Sequence, residues 1–165
     1  MNNKLDKQKI ASFLLLLLSF NACTGIETQK EESAFIVIKT KTMKYADMGF
    51  ISNSRNKVKV EIYGAGQPLM SLEINGMNVC MSTFKCMEKR DFNEKVLDAS
   101  YPEMLLENIF RAKPIFSKKN LTKNANGFSQ KIVKDGIYNI SYTVKGGERI
   151  FRDKTNKILI KVREQ

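Results

Sequence analysis

Short apolar segments that alternate with polar residues dominate the chain from Ala34 onward, and this two-residue period constrains the fold more than any other feature. Residues 57–62, for example, read Lys-Val-Lys-Val-Glu-Ile, the pattern of a half-buried β-strand. Dipeptides that end in glycine and are typical of turns separate several of these segments: Asn75-Gly76, Asp135-Gly136 and Gly146-Gly147. Because strands joined by tight turns pair antiparallel, roughly nine such segments predict one meandering sheet, either a curved antiparallel sheet or an unclosed β-barrel.

One region departs from this period and predicts a helical insertion in the sheet. Ser100 and Glu103 have the spacing of a capping box, in which each side chain binds a free backbone amide at a helix start. The segment ends before Pro114, and its apolar residues share one helical face: Leu105, Leu106, Ile109 and Phe110. A shorter helical pattern covers residues 91–97. The predicted fold class is therefore mainly β with one or two helices (α+β).

The residue composition excludes most catalytic chemistry. The 165 residues include no histidine, which excludes Ser-His-Asp and Cys-His catalysis and almost every catalytic zinc site. Three cysteines are too few for a Cys-only structural zinc site. Most acidic residues are scattered singly, which does not favour the carboxylate pair of a glycosidase. We therefore predict a protein that is not an enzyme and that uses no cofactor and no metal.

The amino terminus has the layout of a secretory signal. Lys4, Lys7 and Lys9 precede an apolar run over residues 10–18, and small and polar residues follow. The apolar run is about half as long as the roughly 20 residues that a membrane-spanning helix needs. We therefore expect an export signal at this position and not a stable transmembrane anchor.

The residues after this run, Ser-Phe-Asn-Ala-Cys-Thr-Gly, resemble the lipobox of bacterial lipoproteins, in which a small residue precedes a cysteine. The resemblance implies cleavage after Ala22 and a diacylglycerol on Cys23, which would hold the protein on a membrane through its acyl chains. Thr24 stands where an Asp retains lipoproteins at the inner membrane, and this favours the periplasmic face of the outer membrane. The alternative is a plain secretion signal that ends near a cysteine.

This interpretation divides the chain into three parts. They are a lipoprotein signal peptide (1–22), the lipidated Cys23 with a flexible tether (23–33), and a single β-rich periplasmic domain (34–165).

The order of segments in the domain resembles the LolA and LolB lipoprotein carriers. Residues 60–69 look like that family's strand and glycine–proline break, residues 103–110 like its helix with a leucine pair, and residues 137–162 like its last paired strands. The resemblance implies a curved, unclosed antiparallel barrel lidded by helices. It also implies a protein that receives acyl chains or lipoproteins, delivered by LolA, in an apolar cavity.

Such a cavity needs an apolar lining, for which the chain offers flexible methionines and aromatic residues. The candidate lining residues are Met70, Leu72, Met77, Phe84, Leu105, Ile109, Phe110, Tyr138 and Tyr142. The alternative for each of them is an ordinary core residue.

Cys80 and Cys86 form a second candidate feature, because an exported chain meets oxidising conditions. Six steps of extended strand would hold their Cα atoms roughly 20 Å apart, whereas a disulfide needs about 7 Å or less. A disulfide therefore requires a turn within residues 82–85. Two buried thiols are the alternative.

The chain is strongly basic, with a net charge of +11. Its basic residues form three loose groups: Lys39, Lys41 and Lys44; Lys118, Lys119 and Lys123; and Lys157, Lys161 and Arg163. They alternate with apolar residues, so we interpret them as solvated strand faces, with a specific anion site as the alternative. No nucleic-acid motif is present, and nucleic acid is not a predicted partner.

Two functions remain. The first is a carrier or receptor that shields acyl chains or lipoproteins at the outer membrane. The second is a structural or assembly lipoprotein that binds another envelope protein through a sheet edge. An open apolar cavity would favour the first function, and a packed interior would favour the second.

Overall fold

The computed structural model of the chain describes residues 30–82 and 86–165. The predicted signal peptide, Cys23 and Phe84 lie outside these residues. The predicted tether is only partly outside, since residues 30–33, which we had assigned to it, belong to the first strand.

The described residues form one sheet of 11 strands. The strands are β1 (Lys30–Lys39), β2 (Lys44–Asn53), β3 (Lys57–Gly64), β4 (Gln67–Asn75), β5 (Asn78–Met81), β6 (Met87–Glu88), β7 (Leu121–Asn124), β8 (Gly127–Lys134), β9 (Tyr138–Lys145), β10 (Glu148–Asp153) and β11 (Ile158–Glu164). The prediction of roughly nine strands was low because β6 and β7, with two and four residues, are too short to show a period.

Every strand pair is antiparallel, and the spatial order is β6-β5-β4-β3-β2-β1-β11-β10-β9-β8-β7. The first and last strands therefore meet in the middle of the sheet, where Ile36 lies opposite Val162. The edges are the short strands β6 and β7, and the sheet is not closed into a barrel. The predicted fold class, a mainly β protein with a curved antiparallel sheet and a helical insertion, is confirmed.

The sheet has two ends, which differ in chemistry. Strand β1 begins at Lys30 on one end, here called the proximal end, and finishes at Lys39 on the other, the distal end. Ten residues of strand separate these ends by about 30 Å. The β2–β3 and β9–β10 turns lie at the proximal end, and the β1–β2 and β10–β11 turns lie at the distal end.

The helical insertion lies between β6 and β7 and covers one face of the sheet, here called the inner face. It contains α1 (Lys89–Val96) and α2 (Leu105–Phe110), followed by one 3-10 turn (Phe116–Lys118). Both helices are too short to be stable alone, so packing of their apolar faces on the sheet must stabilise them. Within the described residues, neither helix has the length and apolar character that crossing a membrane requires.

The predicted capping box at Ser100 and Glu103 is wrong. Helix α2 begins five residues later, at Leu105, and no side chain caps it. Ser100 instead lies in a turn, in which its backbone amide donates to Asp98 Oδ1 over 2.9 Å. The side-chain amide of Asn93, on α1, donates to the carbonyl oxygens of Tyr101 and Pro102, both over 3.2 Å. The carbonyl oxygen of Pro102 also accepts from the backbone amide of Leu105 over 2.9 Å, so these bonds connect the turns before α2 to α1.

A single hydrophobic core fills the space between the sheet and the insertion. Alternate residues of each long strand point inward, as Ile36 and Ile38 do on β1. Both of these side chains are at most 1% exposed. From the insertion, Phe92 on α1 and the apolar face of α2 pack against them.

Candidate functional site

The residues predicted to line a cavity are mostly brought together, but they form packed core instead of open space. Seven of them are buried in the one core: Met70, Leu72, Leu105, Ile109, Phe110, Tyr138 and Tyr142. Three of the seven belong to α2 and project onto the inner face from the insertion. In this state the insertion therefore occupies the place where we expected a ligand.

Met77 is not part of this group, and its assignment to the cavity is wrong. Its side chain is 73% exposed. We had placed the turn at Asn75-Gly76, but Asn75 still pairs with Lys57 on β3, and β5 starts only at Asn78. The turn is thus shifted by one residue, which removes Met77 from the strand and from its inward alternation.

The insertion is fastened to the distal end of the sheet by a buried carboxylate. The Tyr101 hydroxyl donates to Asp153 Oδ2, at the end of β10. Asp153 Oδ1 also accepts from the backbone amides of Asn139, over 3.0 Å, and Thr155, over 2.9 Å. The side-chain amide of Asn156 donates to Oδ2 over 2.9 Å. One carboxylate thus joins the insertion to β9 and to the β10–β11 turn.

These contacts determine the charge state of the pair. Burial alone would raise the pKa of Asp153, but hydrogen bonds from Tyr101, Asn139 and Asn156 outweigh it and lower the pKa. Burial and the bond to Asp153 together raise the pKa of Tyr101. Asp153 is therefore a carboxylate that accepts, and Tyr101 a neutral phenol that donates.

At the proximal end the insertion is held by buried ion pairs. Glu107 on α2 lies 2.7 Å from Lys89 Nζ on α1 and 2.9 Å from Arg111 Nε. Arg111 also donates from Nη1 to the carbonyl oxygen of Ser54, in the β2–β3 turn, over 2.8 Å. Burial would raise the pKa of Glu107, but the bonds from Lys89 and Arg111 outweigh it and lower the pKa. Glu107 therefore holds both helices together and, through Arg111, holds them to the sheet.

The chain leaves the insertion through a strained stretch, residues 112–120, here called the exit segment. Five of its residues, none of them glycine, have φ between 45° and 66°: Ala112, Phe116, Ser117, Lys118 and Asn120. The left-handed region costs a residue with a side chain about 1 to 2 kcal/mol. Gln130 on β8 stabilises the segment, since its side chain binds both the amide and the carbonyl of Ile115, over 2.8 and 3.0 Å.

A surface groove of about 580 Å³ runs between the exit segment and the turns before α2. Its apolar lining comes from Pro102, Met104, Pro114 and Phe116. Met104 is 45% exposed there. A groove of this size falls in the range of small-ligand sites.

The structure joins Cys80 and Cys86 by a disulfide, with Cα atoms 4.0 Å apart. The chain reverses between them, because β5 and β6 pair antiparallel with Val79 opposite Met87. The disulfide therefore lies at an edge of the sheet and away from the inner face of the central strands.

Sequence reasoning missed the polar residues that fasten the insertion. Gln130 and Asp153 occupy inward positions next to the apolar inward residues Ile132 on β8 and Phe151 on β10. Arg149 is a further charged residue at an inward position of β10. A polar residue on the apolar face of an alternating strand is a readable signal, because burial requires a hydrogen-bond partner for it. The partner itself lies in another part of the chain and cannot be read from the period.

No protein-family model matches this chain, and no curated protein matches it.

Proposed function

We propose that this chain is a membrane-anchored, non-enzymatic lipoprotein that binds acyl chains or other lipoproteins at the periplasmic face of the bacterial outer membrane, as a LolB-like receptor does. One observation carries the proposal. The inner face of an open antiparallel sheet is apolar and is covered by a single helical insertion. An acyl chain would bind this face by replacing the apolar side chains of α2.

The energies of the two occupants are comparable. Burying the four apolar side chains of α2 is worth about 1.5 to 3 kcal/mol each. A 16-carbon acyl chain, at about 0.8 kcal/mol per buried CH₂, is worth about 12 kcal/mol in the same place. The exchange would in addition break the ion pairs of Glu107 and the hydrogen bond between Tyr101 and Asp153.

Two features support movement of the insertion. Its helices have only eight and six residues, so they keep little structure without the sheet beneath them. The exit segment holds five residues in strained backbone conformations, and moving it would release part of that strain. The groove beside Met104 and Phe116 would admit the end of an acyl chain.

The packed interior counts in favour of the alternative, an assembly lipoprotein that binds through a sheet edge, but the edge strands count against it. The edge strands β6 and β7 contain two and four residues. Short edge strands offer a partner few free backbone groups, which is a common protection against edge pairing.

A photoreactive fatty acid tests the proposal. The full chain, purified in a nonionic detergent, would be irradiated with a diazirine-bearing palmitate analogue, and the modified peptides would be mapped by mass spectrometry. We expect modification at inner-face residues such as Leu105, Ile109 and Tyr138, and suppression by unlabelled palmitate. Met48 and Phe50 serve as an internal control, because they are exposed apolar residues on the other face, at 41% and 42%. Modification confined to that control pair would contradict the proposal.

The membrane anchor has its own test. Radiolabelled palmitate fed to the producing bacterium should label the wild-type chain and not the Cys23→Ala variant, and the label should sediment with the outer membrane. Equal labelling of both proteins would contradict lipidation at Cys23.

A further inference from the structure

The distal end of the sheet contains two adjoining grooves whose lining is strongly basic. One, of about 520 Å³, lies between the β1–β2 and β10–β11 turns, and the other, of about 360 Å³, lies beside the end of β10. Lys39 and Lys157 line both grooves. The two grooves are here called the distal cationic cleft, and its cations are Lys39, Lys41, Lys44, Arg152, Lys154 and Lys157.

No carboxylate balances these six charges. Within the described ranges, none of the six lies within 4.0 Å of an acidic side chain, while cations elsewhere in the protein form eight such contacts. The one carboxylate in the lining, Asp153, is 1% exposed and is already occupied by Tyr101 and by the backbone of the β10–β11 turn. The cleft therefore keeps an unbalanced positive charge that can act on a ligand.

The fold accepts unfavourable local arrangements at this place. Lys39 and Lys44 lie directly opposite each other on β1 and β2, and like charges in that position are destabilising. Lys157 has φ of 57°, in the left-handed region that disfavours a residue with a side chain. Two such departures at one surface are typical of a site kept for function.

We propose that the distal cationic cleft binds a ligand that carries two or more phosphate groups. Five of the six cations are lysines, whose ammonium groups bind phosphate as point charges. Two grooves that share Lys39 and Lys157 suit a ligand with separated anionic groups better than a single small anion. This inference does not rest on the proposed acyl-binding function, because the cleft lies at the end of the sheet and outside the core.

The position of the cleft bears on the source of the phosphate. The cleft lies about 30 Å along β1 from Lys30, at the opposite end of that strand. A free phosphorylated solute and the head group of an anionic lipid present the same chemistry there. The experiment must therefore offer both.

Calorimetric titration of the full chain in nonionic detergent micelles, at low ionic strength, tests the site with inorganic pyrophosphate. The test variant is Lys39→Gln with Lys157→Asn, which removes both shared cations and keeps a residue that tolerates the left-handed region. The matched control is Lys123→Gln with Lys145→Gln, which removes the same charge from two exposed lysines toward the proximal end. We expect pyrophosphate to bind the wild type, to bind the test variant about tenfold or more weakly, and to bind the control within about twofold of wild type.

Mixed micelles containing cardiolipin, whose head group carries two phosphates, are compared with phosphatidylcholine micelles in the second arm. Binding of pyrophosphate without a preference for cardiolipin would assign a soluble ligand. A preference for cardiolipin that the test variant loses would assign a lipid head group. Absence of saturable binding in both arms, or an equal loss of affinity in test variant and control, would overturn the proposal. The palmitate experiment can succeed or fail whatever the result here.

Discussion

The two ends of the sheet differ in whether their cations form ion pairs with carboxylates. Toward the proximal end several cations have carboxylate partners, including the nearly buried Lys89 and Arg149, at 3% and 4% exposure, which pair with Glu107 and Glu32. At the distal end six cations surround two grooves without an acidic partner in the described residues, and the one buried carboxylate binds a tyrosine instead.

The difference separates structural charge from charge that is available to a ligand. A buried charge must be paired, because an unpaired one costs several kcal/mol. An exposed cation costs little when it is unpaired, so the six distal cations keep their charge available to a ligand. The paired proximal charges therefore stabilise the fold, whereas the proposed phosphate site would use the unpaired distal charges.

We expect the largest loss of stability from a substitution that breaks the buried ion pairs at the proximal end. Glu107→Gln leaves Lys89 buried without a counter-charge, and we expect the free energy of unfolding to fall by about 3 to 5 kcal/mol. Glu88→Gln is the control, because its partner Arg90 lies 3.8 Å away on an exposed surface, and it should cost less than about 1 kcal/mol. Urea denaturation measures both. Similar losses would mean that burial does not distinguish these pairs.

A pair of identical substitutions tests the distal fastening. Tyr101→Phe removes a hydrogen bond to a buried carboxylate, and we expect a loss of about 1.5 to 3 kcal/mol in the free energy of unfolding. Tyr142→Phe should cost nothing or stabilise the protein, since the Tyr142 hydroxyl is buried without a partner among the described residues. Urea unfolding midpoints of the two variants provide the comparison. Equal losses of stability would contradict the inference that the hydrogen bond from Tyr101 to Asp153 fastens the insertion.

Low pH should weaken the contact between Tyr101 and Asp153 that fastens the insertion to the distal end. The folded pKa of Asp153 lies below its ordinary value of 3.8, so its contribution to stability is complete above that value and is lost as the pH falls through the folded pKa. We therefore expect wild type to be more stable than Asp153→Asn near neutral pH and to lose that advantage in acid. Urea midpoints measured across this range provide the comparison. A constant difference throughout would show that Asp153 does not titrate differently in the folded state.

The smallest expected effect compares one substitution at both ends. Lys44→Gln removes the repulsion from Lys39 and should stabilise the protein by a few tenths of a kcal/mol, about 0.2 to 0.5. Lys57→Gln at the proximal end loses an ion pair with Glu73, at 3.6 Å, and should destabilise it by about the same amount. Replicate thermal unfolding scans measure whether each variant is more or less stable than wild type. A change of the same sign in both variants would contradict the difference in charge pairing between the two ends.

Much of the fold could be predicted from sequence because the relevant signals are local. The alternation over residues 57–62 gives β3, and the helical face from Leu105 to Phe110 gives α2. The failures are also local in origin. A one-residue shift of the turn after Asn75 moved Met77 out of its strand, and α2 begins at Leu105, five residues after the start predicted at Ser100.

The candidate site was predicted as a set of residues and not as an arrangement. Seven of the eight described lining candidates are buried together, which their apolar character and position on a strand or helix face account for. That α2 fills the inner face could not be read from the chain. It depends on how far the insertion reaches across the sheet, and that distance is a property of the packed structure.

The sequence by itself determined that the chain forms a mainly β sheet with one helical insertion, because the period of apolar residues depends only on neighbours in the chain. Only the tertiary structure decided which charges meet. Lys39 lies between the β1–β2 and β10–β11 turns because the first and last strands pair at the centre of the sheet. Coulombic interaction depends on distance in space, so three loose groups of lysines in the sequence could not reveal the distal cationic cleft.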